Sequence, residues 1–220
     1  MLKVEFHCHT YASKDSLVRP ADLVRRCRER GIDRVVITDH NSIAGALEAH
    51  RIDPELVIVG EEIRTAVGEL LCAFVKEEIP RGLQPKEALK RLKDQGAFVS
   101  VSHPFDRERS PWFAEGLDEI RDEIDAIEIF NALCLLQRFN QQAADYARTW
   151  GLAGTAGSDA HTLAEIGRAT MLLPEFEDAA SLRASMKAVQ YDLQRSGLWA
   201  RFGSQYASTV KTLRGHARQT

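Results

Sequence analysis

The chain has 220 residues, 44% of them hydrophobic and 28% charged, with a net charge of −3 and a pI of about 6.2. That is the profile of a soluble globular chain long enough for one sizeable core, and its mild acidity argues against a generic nucleic-acid-binding surface. No apolar run approaches the roughly 18–20 residues of a membrane span, and the N-terminus lacks the basic and apolar segments of a signal peptide. Four scattered cysteines, Cys8, Cys27, Cys72 and Cys134, form no C-x-x-C pair and point to reduced thiols in a cytoplasmic setting.

In chain order, residues 2–6 read as a strand leading into Phe6-His7-Cys8-His9-Thr10, and a polar turn covers 10–19. Pro20 opens a helix to about residue 30, stopped by Gly31. The β-branched run 34–38 reads as a buried strand ending at Asp39-His40-Asn41, and Ser42 is placed to cap a helix to about residue 50. Strand three, 56–59, ends at Gly60-Glu61-Glu62; 63–66 and 69–75 look like a hairpin extension of it. A helix over 86–95 precedes strand four, 97–102, which ends at His103-Pro104. After a charged loop (106–115) and a weak helix (116–123), strand five, 125–130, ends at Asn131. A helix to about residue 150 leads to strand six, 152–156, which ends at Gly157-Ser158-Asp159-Ala160-His161. Strand seven is 168–173 and a last clear helix is 179–191; no repeat or linker divides the chain, so one domain over 1–220 is expected. The stretch 193–220 carries five Lys or Arg residues and no acid, with Trp199, Phe202 and Tyr206 interleaved. It reads as a solvated, partly ordered tail, with a contact to phosphate or to a partner subunit as the sharper alternative.

Strands alternating with helices imply parallel pairing through right-handed crossovers. Polar residues at nearly every strand end favour a barrel, in which all strand C-termini share one mouth. Of seven histidines, five (His7, His9, His40, His103 and His161) sit just beyond a strand, leaving His50 in a helix and His216 in the tail. Asp39, Glu61, Glu62 and Asp159 join them at strand ends, as does Asn131, and Asp15 lies in the first loop. His7 and His9 are two apart, so on an extended strand end they point the same way. Mixed imidazole and carboxylate donors suit Zn, Mn or Fe better than Ca, and about eight donors at three or four per ion imply two or three ions. A metal pair is common machinery for phosphate-ester hydrolysis.

These residues resemble the PHP (polymerase and histidinol phosphatase) superfamily. The matching pieces are His7-Cys8-His9-Thr10 with Ser13-Lys14-Asp15-Ser16, Ile37-Thr38-Asp39-His40-Asn41, Gly60-Glu61-Glu62-Ile63, Ser102-His103-Pro104 and Gly157-Ser158-Asp159-Ala160-His161, in the family's order. The resemblance implies a distorted seven-stranded (β/α)7 TIM-like barrel with a metal site at its C-terminal mouth and phosphoesterase chemistry. Carried over by position, it implies one metal on His7, His9, Glu62 and Asp159, a second on Glu62 and His103, and a third on Asp15, His40 and His161. Glu62, not Glu61, matches the pattern; the two point opposite ways on a strand. Asp15 stands where some relatives have His. Asn131 stands where some have His or Cys, and its amide is a poorer donor to the second metal; Cys134 is a possible substitute. Asp39 either orients neighbouring groups or transfers a proton. Arg107, on a loop over the mouth, is the first choice for a phosphate clamp, ahead of Lys14 and Arg168, and Trp112 and Phe113 either stack on a base or pack in the core.

The expected function is metal-dependent hydrolysis of a phosphomonoester of a small metabolite or nucleotide. The alternatives are an exonuclease-like phosphodiesterase on short oligonucleotides, or a metal-binding regulatory module that has lost catalysis. A small phosphorylated substrate is the expected partner, with neither membrane nor long nucleic acid.

Overall fold

A computed structural model describes residues 1–109, 112, 114–196 and 200–217, with the side chains of 114, 200–204 and 214–217 left out. The chain runs β1 (Leu2–Cys8), α1 (Pro20–Glu29), β2 (Arg34–Ile37), α2 (Ala44–Ile52), β3 (Val57–Arg64), β4 (Glu69–Ala73), α3 (Pro85–Gln95) and β5 (Phe98–Val101). It continues with α4 (Ala114–Ile120), β6 (Ala126–Asn131), α5 (Gln137–Trp150), β7 (Ala153–Gly157), β8 (Ala169–Leu173), α6 (Ala179–Ser185), β9 (Gln190–Leu193) and α7 (Ala200–Ala217). Among the described residues no helix is long and apolar enough to cross a membrane.

Among the described residues one mixed sheet holds nine strands in the order β7-β6-β5-β4-β3-β2-β1-β8-β9. It nearly closes on itself. Cys8 and Ala160 form a parallel bridge, with His9 N–H donating to Ala160 O at 2.9 Å. The expected seven-stranded parallel barrel is therefore corrected in two places. The supposed hairpin arm is β4, a full stave paired antiparallel to both β3 and β5. The connection between β3 and β4 is only residues 65–68, too short to cross the sheet, so the chain must reverse. The supposed seventh strand, β8, runs antiparallel to β1. No helix lies between β7 and β8, so β8 starts near the mouth and runs back down. Six strands still point the same way, β1, β2, β3, β5, β6 and β7, and their C-terminal ends meet.

The helix expected over 179–191 stops early. Asp178 caps α6 with a capping box, and after a 3-10 turn over Met186–Ala188 the chain becomes β9 on the outer edge of β8. The tail is a helix, α7, packed on the first loop. Lys211 Nζ donates to the carbonyls of Tyr11 and Ser13, and Ala207 is buried. Trp199 and Arg218 lie outside the described residues, as do the side chains of Arg201, Phe202, Arg214 and His216.

The floor of the barrel is apolar. Val4, Phe6, Val36, Leu71, Phe98, Ala126 and Met171 meet inside it, with Phe176 and the α6 residues Ala179 and Leu182 packed in the same cluster. Phe6 and Phe98 cross edge to face at 5.7 Å. Separate apolar layers lie under α3 and α4 and under α1 and α2.

Candidate metal centre

Pleat alternation alone cannot put Phe6 in the floor and His7 in the mouth. The pairing of β1 with β2 shifts register between Glu5 and Cys8, and such a bulge changes which way the following side chains face. Val4 and Phe6 therefore belong to the floor, Cys8 packs outward against α1, and His7 and His9 enter the mouth. A second shift, between Glu128 and Phe130 in β6, lets Glu128 and Asn131 both reach the site although they are three apart. Two other contributors adopt positive φ, His103 at 24° and Asp159 at 51°. Non-glycine residues hold that conformation at a cost and only where the surroundings impose it. Gly157 is required by closeness: a Cβ there would lie 2.3 Å from His7 Cβ.

Glu62 is the hub, 1% exposed. Its Oε2 lies 3.4 Å from His7 Nε2, 3.5 Å from His9 Nε2 and 3.0 Å from His40 Nδ1. Its Oε1 lies 3.2 Å from His103 Nε2 and accepts the Ser102 hydroxyl at 2.6 Å. Asp159 Oδ1 is 3.1 Å from His9 Nε2 and 3.5 Å from His7 Nε2. Asp15 Oδ2 sits between His40 Nε2 at 3.4 Å and His161 Nε2 at 3.5 Å. The donor atoms cluster as three trios, each mutually within 4.8 Å: His7, His9 and Asp159; His9, His40 and His161; Glu62, Glu69 and His103.

Several partners fix how these groups present themselves. Asp39 accepts from Thr10 N–H and Oγ–H at 2.7 and 2.6 Å and from Ser13 Oγ–H at 2.7 Å. The Ser13 hydroxyl proton being spent on Asp39, its oxygen accepts from His9 Nδ1 at 3.1 Å. His9 thus carries its proton on Nδ1 and turns an Nε2 lone pair toward Asp159. Glu128 Oε1 takes His7 Nδ1 at 2.9 Å, which turns His7 Nε2 inward; its Oε2 accepts from His103 N–H at 2.8 Å.

The electrostatics follow. Burial opposes charge on His7, yet Asp159, Glu62 and Glu128 together hold its pKa well above the usual histidine value. His40 behaves likewise, burial being outweighed by Glu62 and Asp15. Burial would raise Glu62 and Asp159, but His7 and His40 hold Glu62 far down, and His7 and Arg109 hold Asp159 far down. His9 goes the other way, to about 4, through burial and the neighbouring His161 and His40.

A divalent cation fits this donor set. His7 Nε2 and Glu62 Oε2 are buried without a hydrogen-bond partner, and the His9 lone pair faces a carboxylate oxygen. Carboxylates packed this closely away from water need positive charge among them; protons on His7 and His40 supply it in the metal-free protein, and a cation held by the same nitrogens and oxygens would take their place.

The structure brings together His7, His9, Asp15, His40, Glu62, His103, Asp159 and His161. Three expectations need revision. Asn131 reaches the site, but its amide is fully used: Oδ1 accepts from Arg109 Nη2 and Leu133 N–H at 3.1 and 3.0 Å, and Nδ2 donates to Glu128 and Asp159 at 3.1 Å each. No lone pair is left pointing at a metal. Asp39 is fully buried and committed to Thr10 and Ser13, an arrangement that matches the orienting one of its two expected roles and leaves proton transfer without a geometric basis. Arg107 is exposed and does not line the mouth; Arg109, two residues on, does. Arg109 pairs with Asp159 and Asp106 and also meets Cys134 Sγ at 3.6 Å. Cys134 is bound to that group and to Asp106 at 3.3 Å, apart from the metal-ligand trios.

Glu61 faces away, its Oε2 accepting Ile79 N–H; burial pushes its pKa up to about 8. His50 is structural, its Nδ1 2.7 Å from Val57 O. Trp112 is buried core, donating its indole N–H to Glu69 O at 3.1 Å; Phe113 lies outside the described residues. Sequence reasoning missed Glu128, Glu69 and Arg109. For Glu128 the signal was present: a lone acid in the middle of an apolar strand.

The mouth is a cavity of about 670 Å³, whose lining includes Lys14, Arg64, Arg81 and Arg109 as well as the imidazoles and carboxylates. It is the mouth of a barrel-like α/β sheet lined by imidazoles and carboxylates that could hold metal ions.

The PHP domain family model matches residues 5–80, and a PHP-associated model matches 137–190. The chain is 34% identical over 145 residues to an uncharacterized protein of Methanocaldococcus jannaschii, covering 60% of this chain and 82% of that one. It is 38% identical over 66 residues to a 5'-3' exoribonuclease of Haemophilus influenzae, covering 29% of this chain and 24% of that one. Among solved structures, a proposed metal-dependent phosphoesterase of Bifidobacterium adolescentis superposes with a TM-score of 0.63 at 18% identity, over 89% of this chain and 97% of that one. The chain belongs to the PHP family.

Proposed function

We propose that the protein is a metal-dependent phosphoesterase that removes phosphate from a small phosphomonoester, a metabolite or a nucleotide. The observation that carries this reading is the convergence of eight imidazole and carboxylate side chains on one mouth whose rim bears Lys14, Arg64 and Arg81. His7, His9, Glu62 and Asp159 would hold one divalent transition-metal ion (Mn, Zn or Fe), Glu62 and His103 a second, and Asp15, His40 and His161 a third. Such ions supply an acidified water and Lewis-acid polarisation of phosphoryl oxygens. The protein's own groups do the rest. Glu128 and the Asp39–Ser13 pair fix the His7 and His9 tautomers. Arg109 holds Asp159 in place. The cationic rim attracts the substrate dianion. Four free, buried cysteines fit a reducing compartment.

Mn-loaded protein should release phosphate from a generic aryl phosphate, and a chelator should abolish the release; turnover indifferent to chelator would sink the reading. The exoribonuclease likeness supports a second reading, cleavage of short oligonucleotides. An end-labelled oligonucleotide ladder separates the two. Loss of the terminal label without shortening supports the phosphatase, and stepwise shortening supports the exonuclease. Metals bound with no turnover across a broad phosphoester panel would leave a regulatory module.

A further inference from the structure

The second of the cations proposed above would have too few donors. Glu62 Oε1 and His103 Nε2 are two, and a bound transition ion takes three or four protein ligands or makes up the number with water. Asn131 occupies the position where the resemblance places a third donor, and its amide has no capacity left.

A different residue stands on the other side of His103. Glu69 is the first residue of β4, the stave that runs against its neighbours, so its N-terminal end, not its C-terminal end, is at the mouth. Leu71 pairs with Glu62 across the β3–β4 ladder. Glu69, two residues before Leu71, shares its face and lies one step nearer the opening. The side chain is 10% exposed and lines the cavity. Its Oε2 is 3.6 Å from His103 Nε2, and the donor atoms of Glu62, Glu69 and His103 lie within 4.8 Å of one another. One imidazole nitrogen faces two carboxylates and can give a proton to only one of them. The ring's other nitrogen, Nδ1, is buried without a partner, so no neighbouring acceptor holds its proton in place. A cation among the three donors satisfies both carboxylates and the imidazole together.

We propose that Glu69 is a ligand of the second cation, supplying from an antiparallel strand the donor that Asn131 does not. The competing account is that Glu69 serves Arg64, whose Nη1 is 3.5 Å from Glu69 Oε1.

The inference rests on the metal reading above, and metal content, read without any turnover assay, tests it. Elemental analysis and Mn paramagnetic resonance would be run on Mn-loaded wild type, Glu69→Gln, His103→Gln and Arg64→Ala, with melting of the metal-free forms as the folding check. Glu69→Gln should lose the same single equivalent as His103→Gln, or bind it at least about tenfold more weakly, in the range of a lost metal-site partner. The double variant should lose no more than either single one, and Arg64→Ala should keep the full complement. If Glu69→Gln does not melt cooperatively, Glu69→Asp keeps the charge one methylene short and should weaken that one ion alone. Glu69→Gln or Glu69→Asp with wild-type number and affinity would overturn the proposal, as would Arg64→Ala reproducing the loss. A wild type that takes up no transition ion under any loading would instead overturn the metal reading as a whole.

Discussion

At the floor of the sheet, Val4, Phe6, Phe98 and Met171 pack apolar surface against one another. A few residues further along the same strands, His7, His9, Glu62 and His103 pack donors against donors. Both regions are buried, and burial means opposite things in them. In the floor it is the source of stability, about 1.5–3 kcal/mol for a fully buried large apolar side chain. In the mouth it is a cost, because charged groups leave water and are offset only by one another or by a cation. The bulge in β1 turns that strand from floor to mouth within a residue, and the bulge in β6 brings Asn131 into the mouth beside Glu128.

The contrast can be broken from either end. Glu62→Gln should have the largest effect: phosphate release should fall by more than the roughly 10–100-fold expected of an outer partner, with more than one equivalent of metal lost, because both Glu62 oxygens face donor groups. Its metal-free form should still melt cooperatively, with a loss smaller than that of the floor variant below. Phe98→Ala should do the reverse, costing about 3–5 kcal/mol in denaturant unfolding while the folded fraction keeps its metal. A melting change in Glu62→Gln as large as that in Phe98→Ala would erase the distinction. Glu128→Gln, which touches the metal set only through His7 and His103, should weaken metal affinity by roughly 10–100-fold in a competition titration. His50→Ala should leave it unchanged.

A pH measurement sharpens the same contrast. His7 and His40 are held protonated in the metal-free protein by surrounding carboxylates, and a metal must displace those protons. Raised histidine pKa values mean that uptake releases protons at neutral pH and that apparent affinity climbs as pH rises through the elevated range. Calorimetry in two buffers of different ionisation enthalpy reads the release; identical heats would contradict it. A smaller effect than at any group in the mouth is expected at Lys211→Ala. It should free the first loop, seen as faster amide exchange over residues 10–16, with only a severalfold change in turnover.

Much of the mouth was legible because five of the six parallel strands end in a donor, and strand ends can be found from β-branched runs and the turns after them. What escaped was set by tertiary pairing. β4 reads as a hairpin arm because local sequence marks the turn over 65–68 but not the partner on the far side, β5. That error also hid Glu69, which gains meaning only once β4 is a stave. β9 has no local signal, since residues 190–193 are a strand only because β8 offers an edge. Arg107 and Arg109 are alike in sequence, and only the fold of the loop aims one of them at Asp159. Glu128 was readable, an acid inside an apolar strand having to be paired or functional.

The most direct test of the account is a crystal structure of Mn-loaded protein with anomalous scattering collected at the metal edge. The account predicts at least two anomalous peaks inside the mouth, one on the His7, His9 and Asp159 side of Glu62 and one on the His103 side. A fully loaded crystal with an ordered mouth and no anomalous peak among these residues would contradict it.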